Sequence, residues 1–178
     1  MNKSLLFALA ALVLAALGFA GVRAARADND AMPAEGQMAP TFSLPSQDGT
    51  PISLDQYRGK WVVLYFYPKD MTTGCTIEAH KFQDALPQLD AKNAVVLGVS
   101  VDTVDSHKQF CAKDSLTFHL LADPDHKVVS EYGSLGGFNG MVMAQRNTFL
   151  IDPKGKIAKV WVKVVPANAA SDVLAAIP

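Results

Sequence analysis

Cys75 stands in the stretch Trp61-Val-Val-Leu-Tyr-Phe-Tyr-Pro-Lys-Asp-Met-Thr-Thr-Gly-Cys75-Thr-Ile-Glu-Ala-His80, behind a proline at Pro68 and a threonine at Thr72. A cysteine acts as a nucleophile only as its thiolate, so the question is what would hold a negative charge there. The first turn of a helix does so, because its N–H groups are unpaired and the helix dipole is positive at that end. Such positions lower a cysteine pKa from ~8.5 to between ~3.5 and ~7.5. A buried structural cysteine in a core helix is the other reading, and this stretch alone does not choose between them. The second cysteine, Cys111, lies far along the chain, and neither cysteine has another two residues away. His80, His107, His119 and His126 are scattered, so no metal-ligand spacing appears and no cofactor is expected.

The elements that must position Cys75 follow from pattern. Trp61 to Tyr67 is a run of aromatic and β-branched residues, the mark of a fully buried central strand, and Pro68 ends it. Thr72 to Gly74 make a short turn into a helix from Cys75 to about Leu89. Ala94 to Val101 is a second apolar strand, so the three elements form a βαβ unit with parallel strands. Asp102 to Ser106 cap a helix over about Ser106–Lys113 that carries His107, Phe110 and Cys111. A short strand is expected at Thr117–Leu121, and a helix from Asp123 to about Tyr132 with Asp123 as N-cap and Pro124 at the first helical position. Gly133 to Gly140 holds four glycines in eight residues and reads as loop. Arg146–Asp152 and Lys156–Val165 read as a hairpin around Asp-Pro-Lys-Gly, and Ala167–Ile177 as a terminal helix. Upstream, Thr41–Pro45 and Pro51–Leu54 flank an Asp-Gly turn, which predicts another hairpin. The order is α/β: a thioredoxin-like fold, βαβ then ββα, with an N-terminal β-hairpin extension. A flavodoxin-like open sheet is disfavoured by the terminal antiparallel pair.

Composition fits one globular domain: 49% of the 178 residues are hydrophobic and 19% charged. A net charge of −1 makes no electrostatic case for nucleic acid. The N-terminus is a separate object. A basic start at Lys3, an apolar run from Leu5 to Ala20 and Ala25-Arg-Ala27 match a secretory signal peptide over residues 1–27. Cleavage leaves residues 28–178, with 13 basic and 17 acidic side chains and a charge of −4, since Lys3, Arg23 and Arg26 leave with the leader. An uncleaved membrane anchor is the competing reading. Residues 28–39 read as a flexible lead-in and 40–178 as the domain. Export places the protein in a periplasmic or secreted compartment, where a pair of cysteines most often forms one structural disulfide. No stable membrane association is expected after cleavage, and no segment demands an oligomer, so a monomer is expected.

Pro68-x-x-x-Thr72-x-x-Cys75 after an aromatic strand resembles the active-site signature of the peroxiredoxins. Phe66-Tyr-Pro-Lys-Asp-Met-Thr-Thr-Gly-Cys-Thr76 is similar to the Q-type branch, also called bacterioferritin comigratory protein. Gly98-Val-Ser-Val-Asp102, Ser106-His-Lys-Gln-Phe110, Leu120-Leu-Ala-Asp123 and Arg146-Asn-Thr-Phe-Leu-Ile-Asp152 extend the resemblance from about Pro40 to the C-terminus. It implies a thiol-dependent peroxidase that reduces hydrogen peroxide and organic hydroperoxides. Cys75 would be the peroxidatic thiolate, forming a sulfenic acid. Thr72 would orient it through its hydroxyl, Pro68 would shield the sulfur from water, and Arg146 would hold the thiolate and the peroxide oxygens. Arginine suits this task, since its planar fork reaches two oxygens and keeps its charge. Otherwise Arg146 is a surface strand residue in a salt bridge. Glu78 would orient Arg146, with a helix-dipole partner as the alternative.

Two positions depart from the pattern. Thr73 stands where the branch often has proline, and His80 stands where many members carry the resolving cysteine, five residues after the first. The resemblance therefore points to Cys111, giving an intramolecular Cys75–Cys111 disulfide recycled by a thioredoxin-like reductant. Packed against Phe110, Cys111 would instead be a core thiol of a one-cysteine enzyme. His80 reads as a helix surface residue. The other function classes are an exported thioredoxin-like disulfide oxidoreductase, which would need the Cys-x-x-Cys that Cys75-Thr-Ile-Glu78 lacks, and a non-catalytic binding module with a structural disulfide.

Overall fold

The computed structural model describes residues 32–178. The expected leader, 1–27, lies outside the described residues, as does the start of the lead-in.

A mixed five-stranded sheet forms the middle layer, in the order β5-β4-β3-β8-β9. Its centre is β3 (Trp61–Phe66). β3 pairs in parallel with β4 (Ala94–Ser100), which pairs in parallel with β5 (His119–Ala122). On its other side β3 pairs antiparallel with β8 (Asn147–Ile151), and β8 with β9 (Ile157–Trp161). Side chains alternate along β3 as a strand requires. Val63, Tyr65 and Tyr67 enter one apolar layer, while Val62, Leu64 and Phe66 enter the other. The first layer is closed by α1 (Thr73–Ala91), α2 (Val104–Asp114) and α4 (Ala169–Ala176). α1 spans 19 residues and buries Cys75, Ala79, Phe82, Ala85 and Leu89, a three-and-four spacing that makes one helical stripe. The second layer is closed by α3 (Lys127–Glu131) and the β1–β2 hairpin (Ser43–Pro45, Pro51–Ser53). The thioredoxin-like arrangement with its hairpin extension is therefore the one built.

Three expectations change outside the β3–α1 connection. Gly133–Gly140 is not loop alone: β6 (Leu135–Phe138) and β7 (Met141–Ala144) form an antiparallel hairpin. Asn139 and Gly140 both have positive φ, at 51° and 79°, as a tight hairpin turn needs. The count of glycines hid the Asn-Gly turn signal. The helix expected from Asp123 begins only at Lys127, after His126 at φ 59°. Asp123 still caps it, since its carboxylate accepts from the N–H groups of Lys127 and Val129 at 3.2 and 2.8 Å. The lead-in is tied down within its described part. Gly36 and Ala39 N–H groups donate to Ile157 and Gly155 carbonyls, and Ile157 N–H donates to Gln37.

Candidate active site

The β3–α1 connection sets the site. Thr72 is the N-cap of α1 in extended backbone (φ −82°, ψ 151°), so Thr73, Gly74 and Cys75 are the first three helical residues. Thr73 and Gly74, expected as turn, are already helix. The N–H of Thr76 is the first to bond backwards, to the Thr72 carbonyl at 2.9 Å. The three N–H groups before it have no carbonyl within the helix, which leaves the helix start electropositive around Cys75.

Arg146, just before β8, reaches across to this helix end. Its Nη2 lies 3.3 Å from Cys75 Sγ, and its Nη1 donates to Glu78 Oε2. Cys75 and Glu78 are three residues apart on one helix face, so a single guanidinium spans both. The sulfur sits in a residue only 1% exposed. Glu78 is fully buried, and among the described residues its Oε1 has no hydrogen-bond partner. Burial pushes its carboxyl up to about 7, with Arg146 opposing. Burial works against the Arg146 charge, but Glu78 and Cys75 outweigh it and hold the guanidinium above its ordinary value. Glycine at position 74 is part of the fit, because a Cβ there would lie 3.3 Å from Arg146 Nη2.

The remaining expected residues fall as follows. Pro68 is half-buried directly after Tyr67. The Thr72 hydroxyl donates to the Lys69 carbonyl at 3.0 Å, so in this structure it braces the loop rather than meeting the sulfur. Cys111, on α2, lies buried in the same apolar layer as Cys75, and both thiols are free. Burial and then the Asp70 charge push Cys111 up to about 11, which keeps it a protonated, poorly nucleophilic thiol here. His80 is on the surface, its Nε2 3.1 Å from Asp114 at the end of α2.

One cluster escaped the sequence reading. Asp70, in the loop between Pro68 and Thr72, is buried with Tyr67, Ser106 and His107 around its carboxylate. Its members come from β3's end, the loop and α2, so no local spacing could have revealed it. A surface cleft lined by Phe42, Leu44, Asp123 and Lys127 belongs to the opposite layer and contains none of these groups.

The chain is similar to proteins of known family. The AhpC/TSA family profile matches residues 35–160. A relative from Coxiella burnetii, named as a bcp peroxiredoxin, is 47% identical over 133 residues, 72% of this chain and 88% of its own. The bacterioferritin comigratory protein of Xanthomonas campestris, described for its alkyl peroxide reduction activity, superposes with a TM-score of 0.75 at 36% identity, over 81% of this chain and 97% of its own. Two cysteine-to-serine variants of peroxiredoxin Q from the same organism each superpose with a TM-score of 0.72 at 39% identity, over 76% of this chain and 88% of theirs. Their two substituted cysteines lie 36 positions apart, the separation between Cys75 and Cys111 here.

Proposed function

The chain belongs to the AhpC/TSA family as a thiol-dependent peroxidase of the peroxiredoxin Bcp type, and we propose that Cys75 is its peroxidatic residue and Cys111 its resolving one. The observation that carries the reading is the Arg146 guanidinium, 3.3 Å from Cys75 Sγ and anchored by buried Glu78. It supplies the positive charge a thiolate needs. It also offers N–H donors beside the oxygens of an entering peroxide.

The Cys75 thiolate attacks the terminal oxygen of R–O–OH. The S–O bond forms as the O–O bond breaks, and the electron pair leaves with the RO oxygen, which takes up a proton to become alcohol or water. Charge moves from sulfur to that oxygen. A cation fixed beside both therefore stabilises the transition state more than the ground state. Pro68 covers the sulfur, and Thr72 orients the oxygens once it turns from the Lys69 carbonyl. Cys111 gives up its proton and attacks the sulfenic sulfur as a thiolate; the S–S bond forms as the S–O bond breaks, and the hydroxide leaves with that proton as water. A thioredoxin-like dithiol reduces that disulfide with two electrons. The 36-residue spacing shared with the Xanthomonas cysteine pair supports Cys111. The named activity of the Xanthomonas protein supports alkyl hydroperoxides as substrates beside hydrogen peroxide. Residues 1–27 support export, which would place the reductant in the same exported compartment.

Peroxide consumption with a dithiol reductant tests Cys75: the wild type turns over and Cys75→Ser does not. Equal rates in the two would refute the assignment. Mass spectrometry after one equivalent of peroxide tests Cys111: an intramolecular disulfide is expected, and sulfenic or sulfinic Cys75 alone would refute it. N-terminal sequencing of the exported protein should begin at Asp28. An intact Met1 in the membrane fraction would favour the anchor.

A further inference from the structure

The active-site loop and α2 are distant in sequence, yet one buried carboxylate joins them. Asp70 Oδ1 accepts from Tyr67 Oη at 2.7 Å. Its Oδ2 accepts from Ser106 Oγ at 2.7 Å and pairs with His107 Nδ1 at 2.8 Å. A carboxylate only accepts, so Nδ1 carries the imidazole proton. Burial would raise the Asp70 carboxyl, but the bonds from His107 and Ser106 outweigh it and hold it below the ordinary range. The loop is fixed from behind as well: Asp70 N–H donates to Asp102 Oδ2 at 2.9 Å, and Ser100 Oγ donates to the same oxygen at 2.8 Å. Lys69 Nζ lies 3.2 Å from Asp102 Oδ1.

The placement gives this cluster a consequence beyond holding the fold. Asp70 is two residues before Thr72, the N-cap of the helix that bears Cys75. Ser106 and His107 lie in the first turn of α2, and Cys111 follows His107 by one helical turn. Cys111 is buried, and Cys75 faces Arg146 instead. The two thiols are not bonded in this structure, so for the sulfurs to meet, α2 or the active-site loop has to move, and either motion strains bonds to Asp70. Tyr67 also meets Phe110 of α2, with ring centroids 6.4 Å apart, a second contact between the end of β3 and that helix.

We propose that Asp70, with Tyr67, Ser106 and His107, is a latch between the active-site loop and α2 whose release sets the rate at which Cys111 reaches oxidised Cys75. This rests on Cys111 being the resolving thiol. While the latch holds, Cys75 remains a sulfenic acid, open to a second peroxide that converts it to sulfinic acid. The latch thus sets the division between resolution and over-oxidation.

The test is a rapid-mixing experiment on the full-length protein. It follows sulfenic acid formation and disulfide formation separately in wild type, Asp70→Asn and Ser106→Ala. Asp70→Asn keeps the shape and removes the charge; Ser106→Ala removes one donor of α2 to that carboxylate. Disulfide formation should accelerate by about tenfold in Asp70→Asn, the scale of one charged hydrogen bond lost, and by less in Ser106→Ala. The sulfinic fraction at fixed peroxide excess should fall in parallel. Hydrogen exchange of the reduced proteins should show the 104–111 amides opening faster in both variants, with β3 and β4 unchanged. A merely structural cluster would instead slow both chemical steps or loosen the whole sheet. Resolution rates equal to wild type in Ser106→Ala and Asp70→Asn, with the wild type forming the disulfide, would overturn the latch alone. A wild type that forms no intramolecular disulfide would overturn the Cys111 assignment and the latch with it.

Discussion

At the scale of single residues, the site depends on how closely one guanidinium can lie on one helix end. Gly74 is the second helical residue, where alanine would ordinarily add helix stability by up to ~1 kcal/mol. Its missing Cβ also leaves the space that Arg146 Nη2 occupies, with the two only 3.3 Å apart if the carbon were present. Gly74→Ala should therefore separate stability from activity. The thermal midpoint should hold or rise, while kcat/KM for peroxide falls by about tenfold, well within the range known for misplacing one catalytic donor. Unchanged activity would mean that Arg146 can act without this contact. Glu78 yields a pH prediction. Its carboxyl titrates near 7 when folded, against 4.5 for an ordinary glutamate, so the folded protein binds the proton more tightly than the unfolded chain does. Its stabilising contribution is complete below about 4.5 and is lost as pH rises through about 7. Thermal midpoints measured from pH 5 to 8 should fall with pH in the wild type relative to Glu78→Gln. Parallel curves would refute the raised carboxyl.

At the scale of elements, what was legible followed from local pattern. The seven-residue run Trp61–Tyr67 could only be a central strand, and the proline behind it could only end that strand. The apolar stripe of α1, with Cys75 in its first turn, was equally visible. The β6–β7 hairpin was missed because glycine content was weighed above turn chemistry, and because Leu135, Phe138, Met141 and Val142 stay exposed and give no buried alternation. The Asp70 cluster was invisible for a different reason: residues 67, 70, 106 and 107 converge only after α2 packs on β3. Glu78 was legible as a partner for Arg146, but its burial was not, since burial depends on what covers α1. The start of α3 lay between these cases. Asp123 was readable as a cap, yet the helix it caps begins four residues later, because its carboxylate reaches over the Pro124–His126 turn. Asp123→Ala leaves the buried Val129 N–H and the more exposed Lys127 N–H without this acceptor and should cost roughly 1–3 kcal/mol. Urea unfolding would measure the loss. The rate of Cys75 oxidation should not change, because α3 lies on the opposite layer from the site.

At the scale of the whole molecule, the sheet separates a supporting layer from a reacting one. The layer that carries Cys75 also carries Cys111, Tyr65, Tyr67, Phe82 and Phe110, so the proposed oxidation would act on the core itself. An ordinary disulfide stabilises by restricting the unfolded chain. For a loop the length of 75–111 that contribution lies between about 3 and about 4.7 kcal/mol. If Cys111 resolves Cys75 as proposed, the folded side changes as well: joining the sulfurs would remove Cys75 from Arg146, draw Cys111 out of the apolar layer and open the α2 bonds to Asp70. The two bonds from α2, those of Ser106 and His107, involve a charged group, at roughly 1.5–3 kcal/mol each, and a Phe110 drawn out with α2 would add roughly 1.5–3 kcal/mol. On these figures the losses match or exceed the gain. The disulfide form should therefore unfold at lower urea than the reduced form. Its m-value should also be smaller, because less surface is buried in the folded state and the cross-linked unfolded chain exposes less. Cys111→Ser, treated with one equivalent of peroxide, should keep the reduced form's m-value. A higher midpoint with an unchanged m-value in the oxidised wild type would show instead that the two sulfurs meet without unravelling either helix. The inequality between the two sides also explains why such a disulfide would be readily reduced: the thiol form recovers the packing that the bond removes.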